Sequence, residues 1–221
     1  MKVLVGFETS GMVRRAFEAM GHDAWSIDIL PSEDACPKHI EGDIFEYLSD
    51  PYVTDQFDLA IFHPPCTYLT NSAAWAFKDG PYHQKVKPGT LVGAERRMAR
   101  VLAAEDFMTL TRCGIPKIAI ENPVGFMSSA YRKPDQIIQP YEFGDDASKA
   151  TCLWLIGLEP LVVDPAMRVR GRQVVQNGKV VERWGNQTDS GQNRLSPSED
   201  RWSKRSKTYP GIANAMALNW G

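Results

Sequence analysis

The feature that most constrains this chain is a series of short, unbroken apolar runs separated by helix-like stretches. Lys2-Val3-Leu4-Val5-Gly6-Phe7, Asp23 to Asp28, Phe57 to Phe62, Ile118 to Ile120 and Cys152-Leu153-Trp154-Leu155-Ile156 each have the length and content of a strand. Such runs, apolar on both faces, suit the buried strands of a parallel sheet. Between them, Gly11 to Gly21 carries Val13, Ala16, Phe17 and Met20 on one stripe, and Gly21 stops it. Ala94 to Leu110 is rich in helix formers. The rhythm predicts an α/β fold with a mostly parallel sheet. With 221 residues, 43% of them hydrophobic, the chain has material for one globular domain with a full core.

Ligand sites in such sheets collect at the carboxyl ends of strands. Three predicted ends carry chemistry. Asp28 ends the second run, His63-Pro64-Pro65-Cys66 follows Phe62, and Glu121-Asn122-Pro123 follows Ile120. A thiol with a lowered pKa and a carboxyl with a raised one form a nucleophile and a proton donor. That pair suits covalent attack on an aromatic heterocycle, as in methylation at a pyrimidine ring carbon. Each residue also has a plainer reading. A lone cysteine is often a small buried hydrophobe, and Asn122-Pro123 alone is a turn. His63 either contacts substrate or bonds locally, and Asn71 either reads a base edge or shapes its loop. Glu121 is harder to dismiss, because a charge at an apolar strand end needs a partner or a use.

The turn Phe7-Glu8-Thr9-Ser10-Gly11 has one late glycine and is no phosphate-binding fingerprint. Its small residues Thr9, Ser10 and Gly11 still permit close approach of a ligand to backbone amides. Asp28, with Ile29 beside it, lies about 20 residues on, where a carboxylate takes two ribose hydroxyls. Asp43, followed by Ile44, is placed for an adenine amino group or for a nearby amide. The ordered set points to a nucleoside cofactor without a pyrophosphate, which fits S-adenosylmethionine.

No apolar run approaches 18 residues, so no membrane partner is expected. The N-terminus reaches Glu8 too soon for a signal peptide. Four scattered cysteines read as reduced thiols, which predicts a cytoplasmic protein. Cys36-x-x-His39 supplies only two of the ligands a metal needs, so none is expected. The net charge of −2 hides an asymmetry: residues 1–164 carry 15 Lys/Arg against 23 Asp/Glu, and residues 165–221 carry 10 against 4. The basic quarter, with Arg194, Arg201, Lys204 and Arg205, suits phosphate positioning rather than base readout, or is a solvated tail. Trp184 and Trp202 either stack a base or pack. Segments 68–93 and 164–208 lack a clean period and read as loops. The exception is Val174 to Val181, where Asn177-Gly178 signals a hairpin.

In this order, these pieces resemble the cytosine carbon-5 DNA methyltransferases over most of the chain. Val5 to Gly11 is similar to the first cofactor loop, although Glu8 and Ser10 stand where glycine is usual. Asp28 is similar to the ribose binder, and Gly42-Asp43-Ile44 to the third cofactor segment. Pro64-Pro65-Cys66 resembles the nucleophile loop and Glu121-Asn122 the catalytic pair. Tyr209 to Met216, with Asn214 and Ala215, resembles the last motif, which packs against the cofactor. The resemblance implies a Rossmann-like S-adenosylmethionine-dependent fold, with a catalytic domain over 1–157. It further implies a reduced recognition or substrate insertion over 158–193, and a basic strip with a returning C-terminal segment over 194–221. Cys66 would add to cytosine C6, protonated Glu121 would serve N3, Asn122 would orient it, and Pro64 and Pro65 would shape the cofactor and substrate sides.

Two departures bear on substrate. Ser148-Lys149-Ala150-Thr151-Cys152 replaces an arginine-bearing segment, leaving Lys149 as the catalytic cation, without a bidentate contact. The insertion is also small for reading several base pairs. The expected substrate is DNA with a short or loosely read site, or else a free cytosine nucleotide. Amino methylation of a base, or a non-catalytic nucleic-acid-binding relative, are the competing readings.

Overall fold

The computed structural model describes residues 1–196, 198 and 201–221, with the backbone alone at 201–203. Its centre is a seven-stranded sheet of β1 (Lys2–Gly6), β2 (Asp23–Asp28), β3 (His39–Glu41), β4 (Leu59–Phe62), β5 (Lys117–Pro123), β6 (Gln136–Ile138) and β7 (Thr151–Ile156). The spatial order is β3-β2-β1-β4-β5-β7-β6. Strands β3 to β5 across this order pair in parallel, but β7 runs against both β5 and β6. The sheet is therefore mixed, a correction to the mostly parallel expectation. Its cause is local: residues 139–150 hold a 3₁₀ turn, Pro140–Phe143, in place of the helix a parallel crossover would need.

Around the sheet lie α1 (Met12–Ala19), α2 (Ile44–Leu48), α3 (Pro51–Thr54), α4 (Gly93–Leu110), α5 (Met127–Ala130), α6 (Arg201–Ser206) and α7 (Pro210–Trp220). Alternate strand residues feed opposite faces. Val3, Val5, Leu59, Ile61 and Leu153 pack with Phe17 of α1 and with Ile212, Met216 and Trp220 of α7. Leu4, Ala60, Phe62, Ile120 and Trp154 pack with Phe107 and Leu110 of α4. Trp154 meets Phe107 edge-on at 5.1 Å and donates its indole N–H to Arg132 O at 2.8 Å. This satisfies the one polar atom of a residue only 1% exposed.

Strands β8 (Arg172–Gln176) and β9 (Lys179–Arg183) form a separate antiparallel hairpin. Asn177 and Gly178 at its tip both have positive φ, as the two-residue turn requires. Segment 68–93 carries one short 3₁₀ turn, Ala74–Phe77. Among the described residues, no helix is long and apolar enough to cross a membrane.

The sheet order reverses between β1 and β4. The crevice at their carboxyl ends is the place where such sheets hold ligands.

Candidate active site

Strand β4 delivers His63-Pro64-Pro65-Cys66 to this crevice, and neighbouring β5 delivers Glu121-Asn122. The two segments are fastened together. Asn122, 2% exposed, donates from Nδ2 to Pro64 O at 2.9 Å. Phe126 N–H donates to Leu69 O at 2.7 Å, and Thr70 forms a bridge with Gly125. A Cβ on Gly125 would lie 2.1 Å from Leu69 O, so only glycine lets the loops meet. Cys66 O accepts from both Leu69 and Thr70 N–H at 3.0 Å, which curls the loop behind the thiol.

Helix α4 grips the same loop from below. Arg96, 5% exposed, donates to Thr67 O at 3.1 Å and to Leu91 O at 3.3 Å. Arg100 donates from Nε to Tyr68 O at 2.9 Å. Its guanidinium lies 3.3 Å from the Phe77 ring centre and 4.8 Å from that of Phe126. Two arginines one helical turn apart thus hold both ends of the excursion after Cys66.

Glu121 is 8% exposed and is met on both oxygens. His63 Nδ1 is 2.6 Å from Oε2, and Lys149 Nζ is 3.9 Å from Oε1. Burial pushes the Glu121 carboxyl up. Lys149, the His63 hydrogen bond and charge, and Thr151 outweigh it and hold the group down at about 2. The resting group is a carboxylate, which departs from the protonated acid that the sequence suggested. The physical reason is the Lys149 ammonium and the His63 hydrogen bond converging on it. His63 is turned toward Glu121, and its buried Nε2 has no partner among the described residues.

Cys66 is exposed at the crevice, yet the protein around it is dense enough that desolvation raises its thiol above the usual range. Lys149 opposes the rise, Glu121 adds to it, and Arg205 opposes it again. In the free protein Cys66 is therefore mostly a thiol, and anything that draws Lys149 closer or neutralises Glu121 favours the thiolate.

Lys149 is positioned by its backbone. Its N–H donates to Gln139 Oε1 at 2.9 Å. Asn186, just past the hairpin, clasps the preceding residue from both sides: Ser148 N–H donates to Asn186 Oδ1 at 3.0 Å, and Asn186 Nδ2 donates to Ser148 O at 2.9 Å. Arg96, Arg100, Gln139 and Asn186 escaped the sequence reading. The two arginines at i and i+4 were its only available trace.

On the other side of the crevice, Asp28 ends β2 half-buried, and burial raises its carboxyl. Its Oδ1 accepts from Leu30 N–H at 3.0 Å, and among the described residues no side chain bonds it. Ile29 beside it is 71% exposed. Phe7 has φ 60 and Gly11 φ 62, so the turn after β1 folds tightly against α1. The Glu8 carboxylate is buried in that turn, accepting from Val13 N–H at 2.7 Å and Arg14 N–H at 3.3 Å. Ser10 Oγ donates to it at 3.4 Å, and Thr9 Oγ1 donates to Glu33 at 3.2 Å. Glu8 thus fills the anion-binding end of α1, which turns away phosphate. Asp43 caps α2 through Phe45 N–H at 2.8 Å, and Ile44 is in the core. Asn214 is exposed on α7, where Ala215 is buried against the sheet. This donor set fits a nucleoside with a cationic rather than a phosphorylated tail.

The remaining predicted positions lie apart or at the rim. Pro64 is buried, whereas Pro65 and Asn71 are exposed. Lys204 and Arg205 are exposed on α6. The side chains of Arg201 and Trp202 lie outside the described residues. Trp184 packs, stacking on Tyr141 at 4.0 Å. Both ring nitrogens of His39 are engaged, by Ser26 and Leu30 O, and among the described residues no cluster suits a metal.

No family model matches the chain, and no curated protein does. Among solved structures it is similar to the Schizosaccharomyces pombe Dnmt2 methyltransferase, with TM-score 0.44 and 16% identity over 72% of this chain and 52% of that one. It is also similar to a putative DNA modification methyltransferase encoded within an Escherichia coli prophage, with TM-score 0.41 and 13% identity over 70% and 46%. A mutant Spodoptera frugiperda DNMT2 follows, with TM-score 0.39 and 18% identity over 69% and 48%. The chain spans about half the length of each.

Proposed function

We propose that this chain methylates carbon 5 of cytosine in DNA, using S-adenosylmethionine and a transient bond from Cys66. The observation that carries the reading is the convergence on one crevice of an exposed thiol and a buried, doubly paired carboxylate. They stand at adjacent strand ends, beside a turn suited to a nucleoside with a cationic tail. Asp28 would hold the ribose, Ile29 would flank the base, and the turn at Thr9 to Gly11 would lie along the tail. S-adenosylmethionine, when bound, supplies the methyl group that C5 receives.

Cytosine would have to leave the base stack to reach this crevice. The Cys66 thiol gives up its proton to solvent, the thiolate Sγ forms a bond to C6, and the ring's electrons shift toward C5 as N3 takes a proton. That proton passes through Glu121, which takes it up before giving it to N3 and is oriented by its 2.6 Å contact with His63 Nδ1. Transfer to N3 leaves Glu121 as the carboxylate. Lys149 steadies the carboxylate and lowers the Cys66 thiol. Asn122 fixes the proline pair through Pro64 O. Once C5 is substituted, loss of its proton to a base restores the ring double bond and expels Cys66 as thiolate, and N3 returns its proton to Glu121.

Nucleoside mass spectrometry of DNA incubated with the protein and S-adenosylmethionine tests the reading. The expected product is 5-methyldeoxycytidine, absent with Cys66→Ala. N4-methyldeoxycytidine, or equal product from Cys66→Ala, would refute it. The second reading, a free deoxycytidine nucleotide as substrate, draws on the short insertion and predicts product only from the mononucleotide.

A further inference from the structure

We infer that the open groove between the β8–β9 hairpin and the Asp146 turn is a binding site for successive backbone phosphates of a polynucleotide. This rests on the proposed nucleic-acid substrate and decides between its two forms. The groove has a volume of about 520 Å³, and Arg170, Arg172, Arg183 and Arg194 line it together with Asp146.

These arginines divide by role. Arg172 and Arg183 are half-buried and build the wall. Arg172 bonds Asp189 at 2.8 Å and the carbonyls of Trp184 and Gln187 at 3.0 and 2.7 Å, while Arg183 bonds Gln176 and the carbonyl of Glu182. Arg170 and Arg194 are exposed, and among the described residues their side chains have no hydrogen bond or ion pair. Two guanidiniums that line one groove, unpaired among the described residues, suit an anion, and their planar forks match phosphate oxygens. The nearby acids are outnumbered. Asp189 is spent on Arg172, and Asp146, which accepts Gly185 N–H at 2.8 Å, is the one carboxylate lining the groove against its four arginines. The local charge also runs against the acidic balance of residues 1–164.

The groove is coupled to the crevice. Asp146 precedes Lys149 by three residues, so their Cα atoms lie within about 11 Å. Gly185 binds Asp146, and adjacent Asn186 clasps Ser148. A ligand in this groove therefore touches the same turn that carries Lys149, whose ammonium faces Glu121. An open groove with two cations unpaired among the described residues suits a passing strand better than one mononucleotide.

Fluorescence anisotropy of a labelled oligodeoxynucleotide, single-stranded and duplex, across a salt series tests this on the full chain. It needs no methyl transfer, so it can fail or succeed independently of the proposed chemistry. Arg170→Gln/Arg194→Gln is expected to raise Kd about tenfold and to flatten the slope of log Kd against log salt by about two on duplex. Arg170→Lys/Arg194→Lys should keep most of the slope. Both doubles should melt with the wild type, because among the described residues neither side chain has a partner to lose. An unchanged Kd and slope in the glutamine double, or no oligonucleotide binding by the wild type, would overturn the inference.

Discussion

Replacing Glu121 by Gln probes the charge arrangement at the centre of the site. In the folded protein this carboxyl is held at about 2, against an ordinary value of 4.5. Desolvation alone would have raised it, so the Lys149 and His63 contacts more than offset burial. A folded-state value below the unfolded one means that the unfolded chain binds the proton first. The stabilisation is then fully present above about pH 4.5 and is lost as the pH falls toward 2. The gap between the two values corresponds to about 3 kcal/mol. Urea unfolding through this acid range should show the wild type losing about 3 kcal/mol more than Glu121→Gln. At neutral pH the variant should be weaker, because His63 and Lys149 lose a buried anion; breaking such a pair costs about 3–5 kcal/mol. Parallel pH profiles for the two proteins would refute the reasoning, since they would mean that Glu121 titrates alike folded and unfolded.

Alkylation of Cys66 by iodoacetamide, followed by intact mass, should titrate above the ordinary thiol value of 9.0. Lys149→Ala should move that midpoint up and Glu121→Gln should move it down; no movement in either would remove both from the thiol's environment. Gly125→Ala should destabilise the fold by about 1–3 kcal/mol in urea, because the new methyl collides with Leu69 O. It should also change the alkylation rate of Cys66, since the same contact sets the nucleophile loop; wild-type values for both would contradict the fastening of the loops.

The parts legible in sequence are those fixed by local rules. The runs ending at Asp28, His63 and Glu121 are strands because their apolar content has no other use, and their ends meet because parallel neighbours share a direction. The Asn177-Gly178 hairpin is likewise a local matter of positive φ. The reversal of β7 was not legible, because an antiparallel and a parallel buried strand have the same composition. Strand β6, with three residues, was too short to carry a pattern. The charge state of Glu121 was hidden for a different reason. His63 is 58 residues away in the chain, and only the pairing of β4 with β5 brings the two within 2.6 Å. Asn186 and Gln139 gave no signal at all, since their work is to hold a peptide at Ser148–Lys149 that only the fold brings near.

The most direct measurement is intact mass of the protein after incubation with S-adenosylmethionine and DNA containing 5-fluorocytosine, whose fluorine blocks the loss from C5 that frees the thiol. The account predicts a covalent protein–DNA species carrying the transferred methyl group, formed by the wild type and absent with Cys66→Ala. A folded, DNA-bound protein that forms no such species, or forms it equally without Cys66, would contradict the account.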